Sequence, residues 1–527
     1  MRKEATEVQR FLFIIILLTL IAVTSACNNG SYQDNTINII DPPIYIVDAP
    51  NEGTQLPSND IAMPELDIPP FNEYTITLEF ESETRMINGI GSVRYTNRTN
   101  TNLTELVFRV NLNAWNENAD ILPYTREVYR QIFRSGRSNG FMNILHVFHD
   151  NEELFFNLKD TVLTITLPYA LEPKETTQIN IQFDAYIPSI AHRTGANDRA
   201  VWAGAFLPVE AVFGSNGWHT EPYYPIGTPF ILEAANYVVE IITPLDYTVA
   251  GTGSKTENTL DDRKITRFTV QMASRDFAFA ISPDFRRTSQ TTPLGVEISL
   301  YYYTDDLPVD HILNTAVETM TFFEETVGAY PYSHLSIVET DMFISSVGFS
   351  TIIFMDSNHL RNAGLRDLRS EIGRQWFSSI IGGNPIEEAW LSGGLTFLLR
   401  DGLLGQTEEL RTLIESTHRG LQNRLIPNEY SMRIASPIWY YNTWGDYFRI
   451  QRQKSGIMFY ALYREMGEEN FRELLREYYS QFAFRIASSA DFISIAENIH
   501  GRSLAPFFNY WLHTTELPEL PEARPQN

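Results

Sequence analysis

The hydrophobic residues of this chain follow two different periods, and the first is the period of a β-strand. Apolar and polar residues alternate from Tyr74 to Glu81, which predicts a strand with one buried face. Short apolar segments separated by Gly, Pro and Asn continue to about residue 285 and predict an antiparallel β domain. The further strands are predicted at Val93–Tyr95, Leu106–Val110, Val162–Leu167, Ile179–Phe183, Tyr237–Ile242, Arg267–Val270 and Phe277–Ile281.

From about residue 308 the apolar residues recur every three or four positions, which is the period of a helix buried on one side. A first helix is predicted to end at Gly328, just before a Tyr-Pro pair. Two strands are predicted at Leu335–Glu339 and Val347–Met355, and helices dominate from 407 to 515. The pattern therefore predicts the α+β fold class, with an antiparallel β domain followed by a mainly helical domain.

The candidate chemistry lies on a predicted amphipathic helix that precedes Gly382. Its apolar residues recur at helical spacing, at Leu365, Leu368, Ile372 and Phe377. Ser370 and Arg374 then lie one turn apart on the same face, with Glu371 beside them. This is the spacing of H-E-x-x-H, in which two histidines hold zinc and the glutamate is the general base.

The residues that follow carry a family resemblance. Gln375 to Phe377 reads Q-W-F, and Trp390 to Leu395 reads W-L-S-G-G-L. These strings resemble the M1 family of zinc aminopeptidases (gluzincins), which carry H-E-x-x-H-Q-W-F and, further on, W-L-x-E-G-L. The resemblance covers about residues 74 to 515. It implies an N-terminal β saddle domain followed by a thermolysin-like domain.

Carried over position by position, the resemblance implies that every zinc ligand of the family is replaced here. Ser370 and Arg374 stand where the family has its two histidines, and Gly393 stands where it has a ligating glutamate. Serine is a poor zinc ligand, glycine has no side chain, and arginine stays charged near neutral pH. We therefore expect no zinc cofactor and no metal-activated water, although Glu371 keeps the general-base position.

Two further functional positions of the family differ in this chain. The family strand G-x-M-E-N has a glutamate that holds the free amino group of the substrate, and Gly348 stands at that position. The family segment Y-x-K-G has a tyrosine that stabilises the oxyanion of the intermediate, and Gln453 stands there. The resemblance thus implies the framework of an aminopeptidase without its catalytic groups.

A specific replacement for the metal follows from this reasoning. A buried carboxylate that loses its metal partner is costly unless another cation compensates for it. Arg374 lies three residues from Glu371 on the predicted helix, within reach of its side chain. We expect the Arg374 guanidinium to occupy the former metal position and to form an ion pair with Glu371. Truncation of a glutamate to Gly393 is expected to make room for it.

The N-terminus predicts export and a lipid anchor. Arg2 and Lys3 precede the apolar segment Phe11–Val23, as in a secretory signal peptide. Val23–Cys27 resembles a bacterial lipobox, in which the cysteine is lipidated, and Cys27 is the only cysteine of the chain. We expect a protein lipid-anchored on the extracytoplasmic face of the cell membrane. The predicted parts are a signal peptide (1–26), a spacer (27–70), the β domain (71–287), the thermolysin-like domain (288–515) and a tail (516–527).

Composition limits the functional classes. The chain has 527 residues, of which 43% are hydrophobic, so folded domains with full cores are expected. Its net charge of −25 argues against a nucleic-acid partner, because no excess of cations is available to neutralise phosphates.

Two functional hypotheses remain open at this point. The first is a catalytically inactive M1-like lipoprotein that binds an unidentified peptide or protein partner in the cleft between its domains. The second is an active metallopeptidase, or another hydrolase, whose catalytic residues have moved to other positions. The ten histidines of the chain supply possible ligands for the second hypothesis, and a catalytic triad is recognised only from its geometry.

Overall fold

The computed structural model describes residues 70–270, 272–424 and 433–520, which form a sheet-rich N-terminal region followed by a helical C-terminal region. The α+β fold class predicted from the two hydrophobic periods is confirmed. The predicted signal peptide, the lipidation site Cys27 and the spacer up to residue 69 lie outside the described residues.

The largest sheet has eight strands in the order β16-β17-β14-β1-β2-β8-β4-β5. In β1 every second residue is buried, from Asn72 to Phe80, as the alternation in the sequence predicts. The strands up to residue 282 are β1 (Asn72–Glu81), β2 (Met86–Thr96), β3 (Leu103–Arg109), β4 (Phe141–His149), β5 (Glu152–Glu153), β6 (Phe156–Lys159), β7 (Val162–Leu171), β8 (Thr176–Tyr186), β9 (Thr194–Ala196), β10 (Val201–Ala203), β11 (Val209–Glu210), β12 (Phe213–Gly214), β13 (Gly217–Trp218), β14 (Ala235–Pro244), β15 (Thr248–Gly251), β16 (Ser254–Leu260), β17 (Arg263–Thr269) and β18 (Phe279–Ser282).

One pairing in the antiparallel β domain is parallel, since β1 pairs with β14 in parallel while it pairs with β2 antiparallel. Two four-stranded sheets, ordered β15-β18-β10-β9 and β11-β3-β7-β6, pack on the large sheet, and β12 and β13 form a short ribbon. The core between the sheets is apolar and aromatic, with Tyr74 stacked on Tyr237 at 4.9 Å between ring centroids.

A five-stranded sheet, ordered β19-β20-β21-β23-β22, leads into the helical region. The single strand predicted at Val347–Met355 is two strands, joined by a tight turn in which Thr351 has a φ of 60°. A β-branched residue in this conformation is unusual, and the run of strand-forming residues hides the turn. The strands are β19 (Arg286–Thr291), β20 (Glu297–Tyr302), β21 (His334–Thr340), β22 (Ser346–Phe349) and β23 (Ile352–Asp356).

The helices lie mainly after residue 308, and two segments, Gln375–Ile380 and Arg449–Lys454, are π-helical. No helix in the described part of the chain is both long enough and apolar enough to cross a bilayer. The α-helices are α1 (Tyr129–Ile132), α2 (Val309–Thr326), α3 (Ser357–Leu360), α4 (Arg366–Arg374), α5 (Ala389–Leu399), α6 (Thr407–Gln422), α7 (Trp444–Phe448), α8 (Ser455–Met466), α9 (Glu468–Phe482), α10 (Ser489–His500) and α11 (Ala505–His513); short 3₁₀ turns lie at Asn111–Trp115 and Ile438–Tyr440.

Candidate functional site

The candidate site is built on α4 and on the π-helical segment that continues it. Trp376, in the first turn of that segment, is fully buried, and its indole N–H donates to the Gly328 carbonyl at 2.9 Å. The ring stacks on Phe323 of α2 at 5.2 Å between centroids. Phe323 and Gly328, at and just beyond the end of α2, therefore form one wall of the socket that holds the Trp376 side chain. This packing fixes the end of α4.

Gln375 attaches the same segment to the β22–β23 hairpin. Its side-chain oxygen Oε1 accepts hydrogen bonds from the Thr351 amide at 3.0 Å and from the Tyr330 hydroxyl at 3.2 Å. Its side-chain amide donates to the Phe349 carbonyl at 3.0 Å. A fully buried amide with these partners satisfies its polar atoms and holds the strand that carries Gly348 against α4.

Glu371 is buried against that strand, with 2% of its surface exposed. One carboxylate oxygen accepts from the Gly348 amide at 2.8 Å, and the other accepts from the Ser346 hydroxyl at 3.1 Å. A Cβ atom at position 348 would lie 2.9 Å from Glu371 Oε2. The glycine predicted at the amine-binding position thus lets the backbone approach the carboxylate closely.

Arg374 and Glu371, the residues of the expected ion pair, approach each other without forming a hydrogen bond. Arg374 Nε lies 3.7 Å from Glu371 Oε1, within ion-pair range and beyond hydrogen-bond length. Arg374 Nε is buried and has no hydrogen-bond partner among the described residues. The guanidinium therefore compensates the carboxylate through space, while the strand supplies the hydrogen bonds.

The Ser370 hydroxyl forms hydrogen bonds with groups other than Glu371. Its hydroxyl donates to the Arg366 carbonyl one turn back at 2.9 Å, and it accepts from Arg400 at 3.4 Å. A hydroxyl occupied in this way is not directed towards a metal shared with Glu371.

Gly393 does not make room for Arg374, so that expectation is wrong. A Cβ atom at position 393 would lie 2.3 Å from the Gln451 carbonyl oxygen and 3.6 Å from Arg452 Cγ. The space left by the absent side chain is filled by the backbone of the π-helical segment Arg449–Lys454. The glycine allows this segment to lie directly against α5.

The same π-helical segment contributes a residue that sequence comparison missed. Gln453 is not among the residues that line the cleft, whereas Arg452, one position earlier, lines it. Arg452 lies over the ring of Phe448 at 4.4 Å, and burial, together with the neighbouring Arg374, lowers the pKa of Arg452 to about 10. The Phe-Arg spacing on a helical segment was a signal for this contact, but it did not indicate which way the arginine faced.

A cleft opens beside Glu371 and is lined from both the sheet-rich and the helical regions. It encloses about 150 Å³, and none of the ten histidines of the chain lines it. A volume of this size accommodates a group comparable to benzene. Its apolar walls include Phe230, Phe349, Phe377, Trp444, Tyr447 and Phe448.

Several charged side chains that line the cleft form hydrogen bonds within the protein. Arg275 donates to four backbone carbonyls, and Arg193 donates to the Gly227 carbonyl at 2.8 Å and to the Tyr223 hydroxyl at 3.3 Å. Asp276 accepts from two backbone amides at 2.7 Å each, and burial raises the pKa of Asp276 to about 7. Arg275 joins the two regions, because it donates to Leu232 of the sheet-rich region and to Ser379 and Ile380 of the helical region.

The side chains at this site do not suit a zinc ion. Ser370 is bonded elsewhere, Arg374 brings a positive charge, and Gly393 faces backbone. Within the described residues, no group of three or more His, Cys, Asp or Glu side chains is placed to hold a metal. The relocated metal site of the second hypothesis therefore has no candidate in the part of the chain that the structure describes.

Comparison with known proteins gives the fold a name. No protein-family model and no curated protein matches the sequence. Among solved structures, an M1 zinc metallopeptidase from Deinococcus radiodurans is similar, with a TM-score of 0.65 and 14% identity over 86% of this chain and 95% of that one. A mutant of it bound to the substrate Tyr-Ser-Ala has a TM-score of 0.65 and 13% identity over 86% of this chain and 96% of that one.

A two-domain M1 zinc metallopeptidase mutant bound to L-tryptophan has a TM-score of 0.63 and 13% identity over 86% of this chain and 96% of that one. At such low identity the likeness extends to the architecture, and it covers nearly the whole of each solved structure. The chain has the fold of the M1 zinc metallopeptidases.

Proposed function

We propose that this protein is a catalytically inactive M1 aminopeptidase-like protein that binds a peptide or protein partner in the cleft beside Glu371. The observation that carries the proposal is the environment of this carboxylate. Glu371 is held by the Gly348 amide, the Ser346 hydroxyl and the charge of Arg374, and the cleft next to it remains open.

The chemistry follows from these contacts. Peptide hydrolysis by this fold needs a Lewis acid that activates water and polarises the scissile carbonyl. Both carboxylate oxygens of Glu371 already accept hydrogen bonds within the protein, and no group of side chains in the described part of the chain is placed to hold the metal. Binding needs only the walls of the cleft, and the similar structure from Deinococcus radiodurans holds a tripeptide.

The test is metal analysis of the purified protein together with a broad panel of aminopeptidase substrates. We expect less than stoichiometric zinc and no hydrolysis above that of the Glu371→Gln variant, which removes the general-base position. Hydrolysis that exceeds that of this variant would show an active enzyme and overturn the proposal, and one zinc per chain would show that the protein has a metal site.

We further propose that the protein is anchored by a lipid on Cys27 on the extracytoplasmic face of the cell membrane. The support is the sequence alone, in which a basic start, an apolar segment and small residues precede the cysteine. The Cys27→Ala variant is expected to move from the membrane fraction to the soluble fraction. Unchanged membrane association would refute the lipid anchor.

A further inference from the structure

We propose that the cleft recognises a carboxylate of its peptide ligand, held between the guanidinium groups of Arg374 and Arg452. The inference rests on the proposed binding function and adds the chemical class of the ligand group. The carboxylate is either the free C-terminus of a peptide or an acidic side chain within it.

Most of the charged side chains that line the cleft already form hydrogen bonds within the protein. Arg193, Arg275 and Asp276 are committed to hydrogen bonds within the protein. Glu388 accepts from the Ser489 amide at 3.0 Å. Both oxygens of Glu371 also accept hydrogen bonds. The cleft-lining charges left without hydrogen bonds among the described residues are those of two arginines.

These two arginines come from different elements and line the same cleft. Arg374 comes from the end of α4 and Arg452 from the π-helical segment Arg449–Lys454, and both line the cleft. The Nε atom of each is buried without a hydrogen-bond partner in the described part of the chain. A buried guanidinium with unsatisfied donors stabilises a ligand that brings acceptors to it.

The local charge favours an anion over the amine that the family fold is known to hold. Four arginines and three carboxylates line the cleft, so its charged lining has an excess of arginines. Even with its lowered pKa of about 10, Arg452 is charged at neutral pH. The planar fork of a guanidinium matches the two oxygens of a carboxylate, which makes such pairs strong and directional.

The remaining walls indicate why the anion belongs to a peptide. Aromatic side chains from both regions, among them Phe349, Trp444 and Tyr447, surround the space next to the arginines. Ligand sites typically combine such apolar walls with a few polar groups that fix orientation. A carboxylate attached to an apolar or aromatic residue would use both features.

The test is calorimetric titration of the full-length protein with four N-acetylated tripeptides, which lack the free amine. Acetyl-Ala-Ala-Phe is compared as the free acid and as the amide, and acetyl-Ala-Glu-Ala-amide is compared with its Gln counterpart. We expect a free carboxylate to bind at least about 10-fold more tightly than its neutral match, the loss typical of a charge-assisted hydrogen bond. The pair with the larger ratio identifies the source of the carboxylate.

Arg374→Gln and Arg452→Gln are each expected to abolish this preference, whereas Arg452→Lys retains the charge and part of the preference. Arg411→Gln is the matched control, because Arg411 is a partly exposed residue of α6 that pairs with Glu408 outside the cleft. Thermal unfolding of each variant checks that it is folded. If the acid and neutral peptides bind equally, the carboxylate site is refuted and peptide binding stands. If none of the peptides binds the wild-type protein, both proposals are refuted.

Discussion

Two consecutive segments of the chain, α4 and the π-helical segment Gln375–Ile380, differ in how far they retain the pattern of the M1 family. In α4 the resemblance to the family motif aligns Ser370 and Arg374 with the two zinc-binding histidines. In the π-helical segment the letters Q-W-F are those of the family. The structure gives the physical reason, because the side chains of Gln375 and Trp376 are bonded and packed inside the protein.

The comparison shows that stability and chemistry depend on different groups even when they are adjacent. Burial of a large aromatic side chain and satisfaction of a buried amide contribute to folding whatever the protein does. A metal ligand contributes to catalysis only together with its partners. Residues at metal-ligand positions can therefore differ although they lie one helical turn from Trp376, whose buried packing is needed for stability.

The largest effect is expected when the socket itself is emptied. Trp376→Ala removes a fully buried indole that stacks on Phe323, and the cavity left behind should cost about 3–5 kcal/mol of unfolding free energy. Urea unfolding measures this loss. Trp439→Ala is the matched control, since Trp439 is 44% exposed, and its effect should stay within about 0.5 kcal/mol. Equal losses of stability in the two variants would contradict the claim that the buried Trp376 is needed for the stability of the fold.

The next effect concerns a cleft-lining group that behaves as part of the fold. Burial raises the pKa of Asp276 from 3.8 to about 7, so the folded protein binds a proton that the unfolded chain releases in this interval. The free energy of unfolding should therefore fall as the pH rises from about 4 to about 7, by at most about 4 kcal/mol for this group.

Asp276→Asn should flatten this part of the stability profile, measured by urea unfolding at intervals of pH. The slope is the decisive quantity, because asparagine cannot accept from both backbone amides that Asp276 holds and will lower stability at every pH. Burial also raises the pKa of Glu210 to about 7. Because Glu210 is still present in the variant, a residual dependence of stability on pH with the same sign remains. An unchanged slope would mean that Asp276 titrates normally.

A smaller effect is expected at Gly393, and it refines the comparison. Gly393→Ala would place a Cβ atom 2.3 Å from the Gln451 carbonyl oxygen, so the π-helical segment must shift, at a cost of about 1–3 kcal/mol. Gly420→Ala in α6 is the control, because its added Cβ would lie more than 4 Å from every atom beyond the adjacent residues and the local helix backbone, and alanine favours a helix. Thermal unfolding should show a loss for the first variant and no loss for the second.

Gly393 also marks the limit of what the sequence could predict. The order of the sheets and helices follows from hydrophobic period and motif spacing, both of which are local. The space around Gly393 is filled by Gln451 and Arg452, which lie far along the chain, and the direction of these groups is set by tertiary packing. The same holds for the parallel pairing of β1 with β14. The sequence predicted which positions differ from the family motif, and only the fold showed which groups surround those positions.

The smallest effect is expected at Ser370, which the motif resemblance aligns with a zinc ligand of the family. Its hydroxyl donates to the Arg366 carbonyl of its own helix, a carbonyl that the helical backbone also satisfies, and its contact with Arg400 is long at 3.4 Å. Alanine has the higher helix propensity, which offsets the lost bonds, so Ser370→Ala should change the unfolding free energy by less than about 1 kcal/mol. Its matched partner is Ser346→Ala, which removes a hydroxyl that donates to the buried carboxylate of Glu371 and should cost about 1–3 kcal/mol. If Ser370→Ala proves as destabilising as Ser346→Ala, the serine is a structural substitute for the ligand, and α4 would belong with the segments that the fold cannot change.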